Sequence, residues 1–212
     1  MHSLAEPILL LVVLTDFAVL ATSRLSACIR AIASQGVLLG TLSLVVDGAW
    51  SIHAIALALG TIAIKAMLLP WFLRWAIREA SVRREVEPLV GYMPSFLLGA
   101  AALVVSFAVA ARLPATGSGP LLVPVALVTV MIGLVVLITR TKAISQVVGY
   151  LMLENGIYLF GLTQARRVPF LVEAGVLLDV FVGVFVMGIV VFHINREFDS
   201  ISATNLSELR ES

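Results

Sequence analysis

Apolar residues run along this chain in long unbroken stretches, and polar positions gather in short breaks between them. The first stretch follows Glu6 and Pro7 and is interrupted only by Asp16. Later ones are bounded by Arg24, Asp47, Arg74 to Glu87, Arg112, Arg140 to Lys142, and Arg166 to Arg167. Spanning strands need alternating polar and apolar residues, and these runs are continuously apolar, so they read as helices. Each is close to the about 20 apolar residues that a helix needs to cross hydrocarbon. The pattern predicts an all-α integral membrane protein of about seven transmembrane helices, over 5–23, 30–46, 54–77, 91–111, 120–139, 143–163 and 169–194.

Composition strengthens that reading. The 212 residues are 60% hydrophobic and 13% charged, with a mean hydropathy of +1.08, whereas soluble domains carry roughly 25% charged residues. About seven crossings consume about 140 residues, leaving loops and two tails and no room for a soluble catalytic domain. Met1 to Glu6 contains no Lys or Arg and no A-x-A cleavage site follows, so the first run is expected to be a retained helix rather than a signal peptide. The net charge of +1 argues neither for nor against a nucleic-acid partner, but no basic stripe exists outside the loops and none is expected. Cys28 is the single cysteine, which excludes an internal disulfide. No Cys/His cluster of zinc or iron–sulfur type can be assembled, so no metal and no cofactor is expected in this chain. Any electron transfer would take place on another polypeptide.

The loops give an orientation. One set of connections holds Arg24 and Arg30, then Arg74, Arg78, Arg83 and Arg84, then Arg140 and Lys142. The C-terminal Arg196 and Arg210 belong to the same side, and the opposite loops hold only Arg112, Arg166 and Arg167. This bias places the C-terminus in the cytoplasm and the N-terminus outside, as an odd number of crossings requires. Arg74 to Glu87 is the largest polar break and divides the chain, and Pro114 to Pro120, with Gly117 and Gly119, reads as a short outside turn. No internal repeat is evident. The tail from Asn195 to Ser212, with Leu206 and Leu209, fits a short docking helix or a solvated end equally well.

Lys65 is the one cation near the middle of a predicted span, and Asp16, Glu154 and Asp179 are the interior acids. Each lies about ten or eleven residues into its helix, hence about 15–17 Å from an interface at a rise of about 1.5 Å per residue, near the middle of a layer about 30 Å thick. A midplane Asp or Lys costs roughly 2.5–3.5 kcal/mol to insert, so such residues persist where they pair, face water or serve a proton or ion path. Carboxyls sharing a level with one lysine can exchange protons, each occupancy depending on its neighbour's charge. Glu154, Asp179, Lys65 and Asp16 are therefore the candidate proton-relay residues. Plainer readings compete: acids hydrogen-bonded across the bundle, a structural ion pair at Lys65, and for Asp16 contact with Ser23 or loop water.

Spacing supplies a candidate lining. Tyr150, Glu154 and Tyr158 share one face of the sixth helix, extended by Gly161. Gly175, Asp179 and Gly183 repeat the spacing on the seventh, where two glycines permit close approach of a neighbour or water. Thr61 lies one turn before Lys65. Pro70 cannot donate to the carbonyl of Ala66 and is expected to kink the third helix. Gly36 and Gly40 form a GxxxG that implies close packing of the second helix. His53, beside Trp50, suits an interfacial anchor, and His193 suits the last turn of its helix. The fourth and fifth helices carry no interior charge and read as packing elements.

The run Gly149-Tyr150-Leu151-Met152-Leu153-Glu154-Asn155-Gly156 resembles the glutamate-bearing helix of the small K subunit of respiratory complex I. The Asp179 helix and the tail Asn205-Leu206-Ser207-Glu208-Leu209-Arg210 are similar to that subunit's last helix and end. Over its whole length, including the Lys65 helix with Pro70, the chain resembles hydrogenase-4 component E of formate-hydrogenlyase-type and related membrane-bound nickel–iron hydrogenases. The resemblance implies three regions: an N-terminal three-helix membrane part over 1–90, a linking fourth helix over 91–118, and a K-subunit-like three-helix part with a cytoplasmic tail over 119–212. It also implies a multi-pass, non-redox subunit of a prokaryotic inner membrane, lying in the lipid bilayer between quinone-site-like and antiporter-like subunits. Glu154 matches the first membrane glutamate of the K subunit. Asp179 matches the second but is one methylene shorter, while Lys65 and Asp16 have no counterpart there. The expected role is lateral proton relay that couples electron transfer to ion translocation, with no bond chemistry on this chain. The alternatives are a scaffold that spaces partner subunits and, against the lack of a repeat or paired broken helices, an independent transporter.

Overall fold

The computed structural model describes residues 2–47, 51–79, 90–113 and 119–164, with the single positions 181, 185 and 188. Apart from those three positions, the predicted seventh span, 169–194, with Gly175, Asp179 and Gly183, lies outside the described residues, as does the tail. The chain begins with α1 (His2–Leu20) and α2 (Leu25–Asp47). Ser51 then caps α3 (Ile52–Ile62) by accepting the amide of Ala54. One helical rod continues through a π-turn (Ala63–Leu68) into α4 (Leu69–Glu79). It is followed by α5 (Tyr92–Ala110), α6 (Leu122–Thr139) and α7 (Ala143–Gln164). No strand occurs among the described residues.

The rod corresponds to the predicted 54–77 helix, and it deals with Pro70 in an unexpected way. Beside Lys65, where Pro70 was expected to disturb the helix, the turn is widened. The amide of Leu69 donates to the carbonyl of Ile64, five residues back, and Pro70 follows with no N–H to place. Lys65 sits within this π-turn, the kind of local irregularity that helices often use at functional positions.

Among the described residues four stretches are long and apolar enough to cross a membrane: Leu25–Val46, Ala54–Trp75, Tyr92–Ala110 and Leu122–Thr139. Helices α1 and α7 pack among them, α1 on α2, α5 and α6, and α7 on α2, α4 and α6. Among the described residues large apolar side chains such as Leu4, Leu14, Met67, Leu97 and Val104 are exposed, while thirteen polar or charged residues are buried. That distribution is inverted relative to a soluble fold, and the protein is a multi-pass helical membrane protein. The end of α1, the start of α5 and the end of α6 meet at Arg140. Arg140 ties them by donating to the carbonyl of Leu20 at 3.4 Å and lying over the Tyr92 ring at 4.8 Å.

The tightest contact is the antiparallel hairpin of α6 and α7. A Cβ added to Gly149 would lie 2.5 Å from the amide nitrogen of Leu137, and one on Gly133 would strike the backbone of Leu153. Only glycine lets the two backbones meet in this way, which stabilises membrane helices through dispersion and close carbonyl contact. Two apolar clusters fill the bundle. One contains Val19, Ile29, Ile32, Val136 and Val148, and the other Val12, Leu39, Ala126, Tyr158 and Leu162. On α1, α2, α6 and α7 the residues between these clusters are Asp16, Gln35, Thr129 and Glu154–Asn155. Polar groups from four helices therefore share one layer, sealed above and below.

Candidate functional site

Within that layer Lys65 and Glu154 meet. Lys65 Nζ donates to Glu154 Oε1 at 2.9 Å, and each side chain is 2% exposed. The distance is that of a charge-assisted hydrogen bond. The ammonium also lies 5.6 Å from the centre of the Tyr158 ring, within range of the ring's negative face. The Tyr158 hydroxyl is 3.4 Å from Thr61 Oγ1. Helix α2 packs closely against Lys65: a Cβ on Gly36 would lie 2.8 Å from Lys65 Cβ and from its carbonyl carbon. The expected close packing is found at both glycines: Gly36 meets Lys65 and Ala66 in the π-turn, and Gly40 meets Ala58 and Ile62 of α3. A buried pair of this kind is costly to desolvate and is stable only while both partners remain. One proton transferred along the 2.9 Å bond interconverts its ionic and neutral forms.

The second cluster surrounds Asp16, which is fully buried. Its Oδ1 accepts from Gln35 Nε2 at 2.7 Å, and its Oδ2 accepts from Thr129 Oγ1 at 2.8 Å. Gln35 in turn accepts at its carbonyl from Asn155 Nδ2 at 2.8 Å. The contact with Ser23 or loop water considered for Asp16 gives way to these partners from α2 and α6. The sequence reading of α6 as a packing element is corrected too, because Thr129 on that helix is a direct ligand of the carboxylate.

Of the predicted residues, the structure brings Lys65, Glu154, Tyr158 and Thr61 into mutual contact and places Asp16 in the same layer through Gln35 and Asn155. Tyr150, one turn before Glu154, is half-buried and packs against the apolar cluster containing Ile32 and Val148. Gln35, Thr129 and Asn155 were missed. An amide or hydroxyl within an apolar run carries no charge to mark it, although Gln35 is the only amide side chain of α2 and Asn155 follows Glu154 directly. Arg140, read as a loop cation, is 4% exposed. Among the described residues no three His, Cys, Asp or Glu side chains gather as a metal site.

The chain is 35% identical over 191 residues to an uncharacterized protein of Mycobacterium tuberculosis, covering 88% of this chain and 87% of that protein. It is 32% identical over 151 residues to hydrogenase-4 component E of Escherichia coli K12, covering 69% of this chain and 68% of that protein. The Shigella flexneri protein of the same description matches equally. No family profile and no solved structure matches the chain.

Proposed function

This chain belongs to the hydrogenase-4 component E family, and on that premise we propose that it is a non-redox membrane subunit of a hydrogenase-type, complex I-related oxidoreductase. In this reading it relays protons laterally through its buried polar layer and couples electron transfer on other subunits to ion translocation. The observation that carries the proposal is the Lys65–Glu154 pair at 2.9 Å, a proton donor and acceptor held in an apolar bundle where unused charge is expensive. Lys65 and Glu154 exchange the proton. Tyr158 steadies the ammonium through its ring, and Thr61 meets its hydroxyl. Asp16 is a second protonatable station in the same layer, and Asp179 belongs to the same proposed relay. The quinone-site-like and antiporter-like partners, the cytoplasmic C-terminus and the prokaryotic inner membrane belong to this same proposal. So does the likeness of the Glu154 helix to the complex I K subunit.

Physical chemistry sets one limit on the path. Gln35 and Asn155 bridge the two clusters with amides, and an amide passes a proton only through its high-energy imidic form. The bridge therefore carries orientation, and protons pass between stations by water or by side-chain movement. In membrane vesicles containing the assembled complex, Glu154→Gln is expected to leave electron transfer near the unmodified rate while reducing proton translocation several-fold. Unchanged translocation in that variant would favour the scaffold reading, in which neutral isosteres are tolerated.

A further inference from the structure

The hydrogen-bond order from Asp16 to Asn155 has a consequence for the relay. We infer that Gln35 and Asn155 are positioning residues that report the protonation state of Asp16 to the Lys65–Glu154 pair by turning their amides. The inference rests on the relay reading above and deepens it.

An amide side chain has one donating and one accepting end. With Asp16 ionised, its Oδ1 can only accept, so Gln35 must present Nε2, 2.7 Å away. The Gln35 carbonyl then faces Asn155 and accepts from Nδ2 at 2.8 Å. The charge at one end thus fixes the polarity of the whole chain. A proton placed on Oδ1 sets O–H against N–H. Two donors cannot share that distance, and a half-turn of the Gln35 amide relieves the conflict by presenting its carbonyl. The same turn brings Nε2 to Asn155, whose amide must turn as well. No covalent bond is broken, and the proton stays on Asp16.

Chain adjacency links the amides to the pair. Asn155 follows Glu154 on α7, and Gly36, whose added Cβ would touch Lys65, follows Gln35 on α2. Each helix thus gives adjacent residues to both clusters. Asp16, Gln35 and Asn155 are at most 2% exposed, and in so apolar a setting a reversed amide dipole shifts the balance between ionic and neutral forms of a nearby pair. The groups facing Asp16 are few. Thr129 of α6 meets Oδ2, and Thr15 of α1 lies 3.3 Å from Gln35 Nε2. Neither α5 nor α6 contains Asp, Glu, Lys or Arg, and the charged residues of α2, Arg30 and Asp47, lie toward its ends. Thr129 offers a competing route. Its hydroxyl can rotate to accept a proton placed on Oδ2, leaving the amides in place.

Infrared difference spectra of the assembled complex in vesicles test the idea, with the Glu154 carboxyl band assigned by its disappearance in Glu154→Gln. Asp16→Asn removes the charge that sets the amide polarity and is expected to shift that band. The shift is expected to vanish when Gln35→Met is added, and Asn155→Leu should abolish it from the other end, which guards against one variant failing to fold. Thr129→Val closes the competing route and should enlarge the band's response to acidification. A Glu154 band unmoved by Asp16→Asn, or a shift that survives both Gln35→Met and Asn155→Leu, overturns the inference. Undiminished translocation in Glu154→Gln would instead remove the relay reading itself.

Discussion

The Lys65–Glu154 pair and the Asp16 cluster occupy the same layer of the bundle and neutralise buried charge by opposite means. Lys65 and Glu154 oppose each other across 2.9 Å, so the loss of either removes a buried counter-charge from the other. Asp16 has no cation among its hydrogen-bond partners; its carboxylate is held by a hydroxyl and an amide from two helices. Removing one of those leaves another in place. The first arrangement is sensitive and suited to exchanging a proton. The second is buffered and suited to sensing one. Placing both between sealing apolar clusters gives a single layer two kinds of ionisable station.

The largest effect is expected from breaking the pair on one side. Lys65→Met strands Glu154 in the bundle and should cost about 3–5 kcal/mol of stability, read as a lower unfolding temperature of the purified complex in detergent. Adding Glu154→Leu should recover most of that loss, because two apolar groups of similar shape need no desolvation. If the double variant is as unstable as the single one, the pair is not the source of the cost.

Gly36→Val comes next. The added side chain meets the Lys65 backbone and Cβ, where there is no room, and overpacking of this kind costs about 1–3 kcal/mol. It should disturb the pair more than the Asp16 cluster, so translocation falls before the Asp16 hydrogen bonds are lost, a difference that cysteine crosslinking between α2 and the π-turn can resolve. Thr129→Val removes one of two donors to Asp16 and should cost about 1 kcal/mol, near the usual worth of a hydrogen bond between membrane helices. A loss as large as that of Lys65→Met would erase the distinction between the two regions. Tyr158→Phe should be smallest, about 0.5 kcal/mol, because the ring beneath Lys65 remains and only the 3.4 Å contact with Thr61 disappears.

What could be read from the sequence follows the same division. Charge inside an apolar run is conspicuous, so Lys65, Glu154 and Asp16 declared themselves, and equal depth in their helices anticipated a shared layer. Neutral partners did not. Gln35, Thr129 and Asn155 cost little to bury singly, and their importance arises from three helices converging, which no spacing within one helix can express. Pro70 marked a disturbance beside Lys65 but not its form, because a missing N–H can be met by a kink or by a wider turn upstream. Arg140 looked like a loop cation since its burial depends on Leu20 and Tyr92, far away in the chain. The α6–α7 contact was hidden in Gly133 and Gly149, glycines on separate helices whose pairing only the hairpin reveals.

The pair is central to the proposed role, and one measurement bears on it most directly. Lys65→Gln combined with Glu154→Gln keeps two hydrogen-bonding side chains in place and removes both titratable groups without leaving a bare charge. Protons moved per electron, measured in sealed vesicles bearing the assembled complex, are expected to fall several-fold while electron transfer and subunit assembly persist. An undiminished ratio in that double variant would contradict a relay through these two residues.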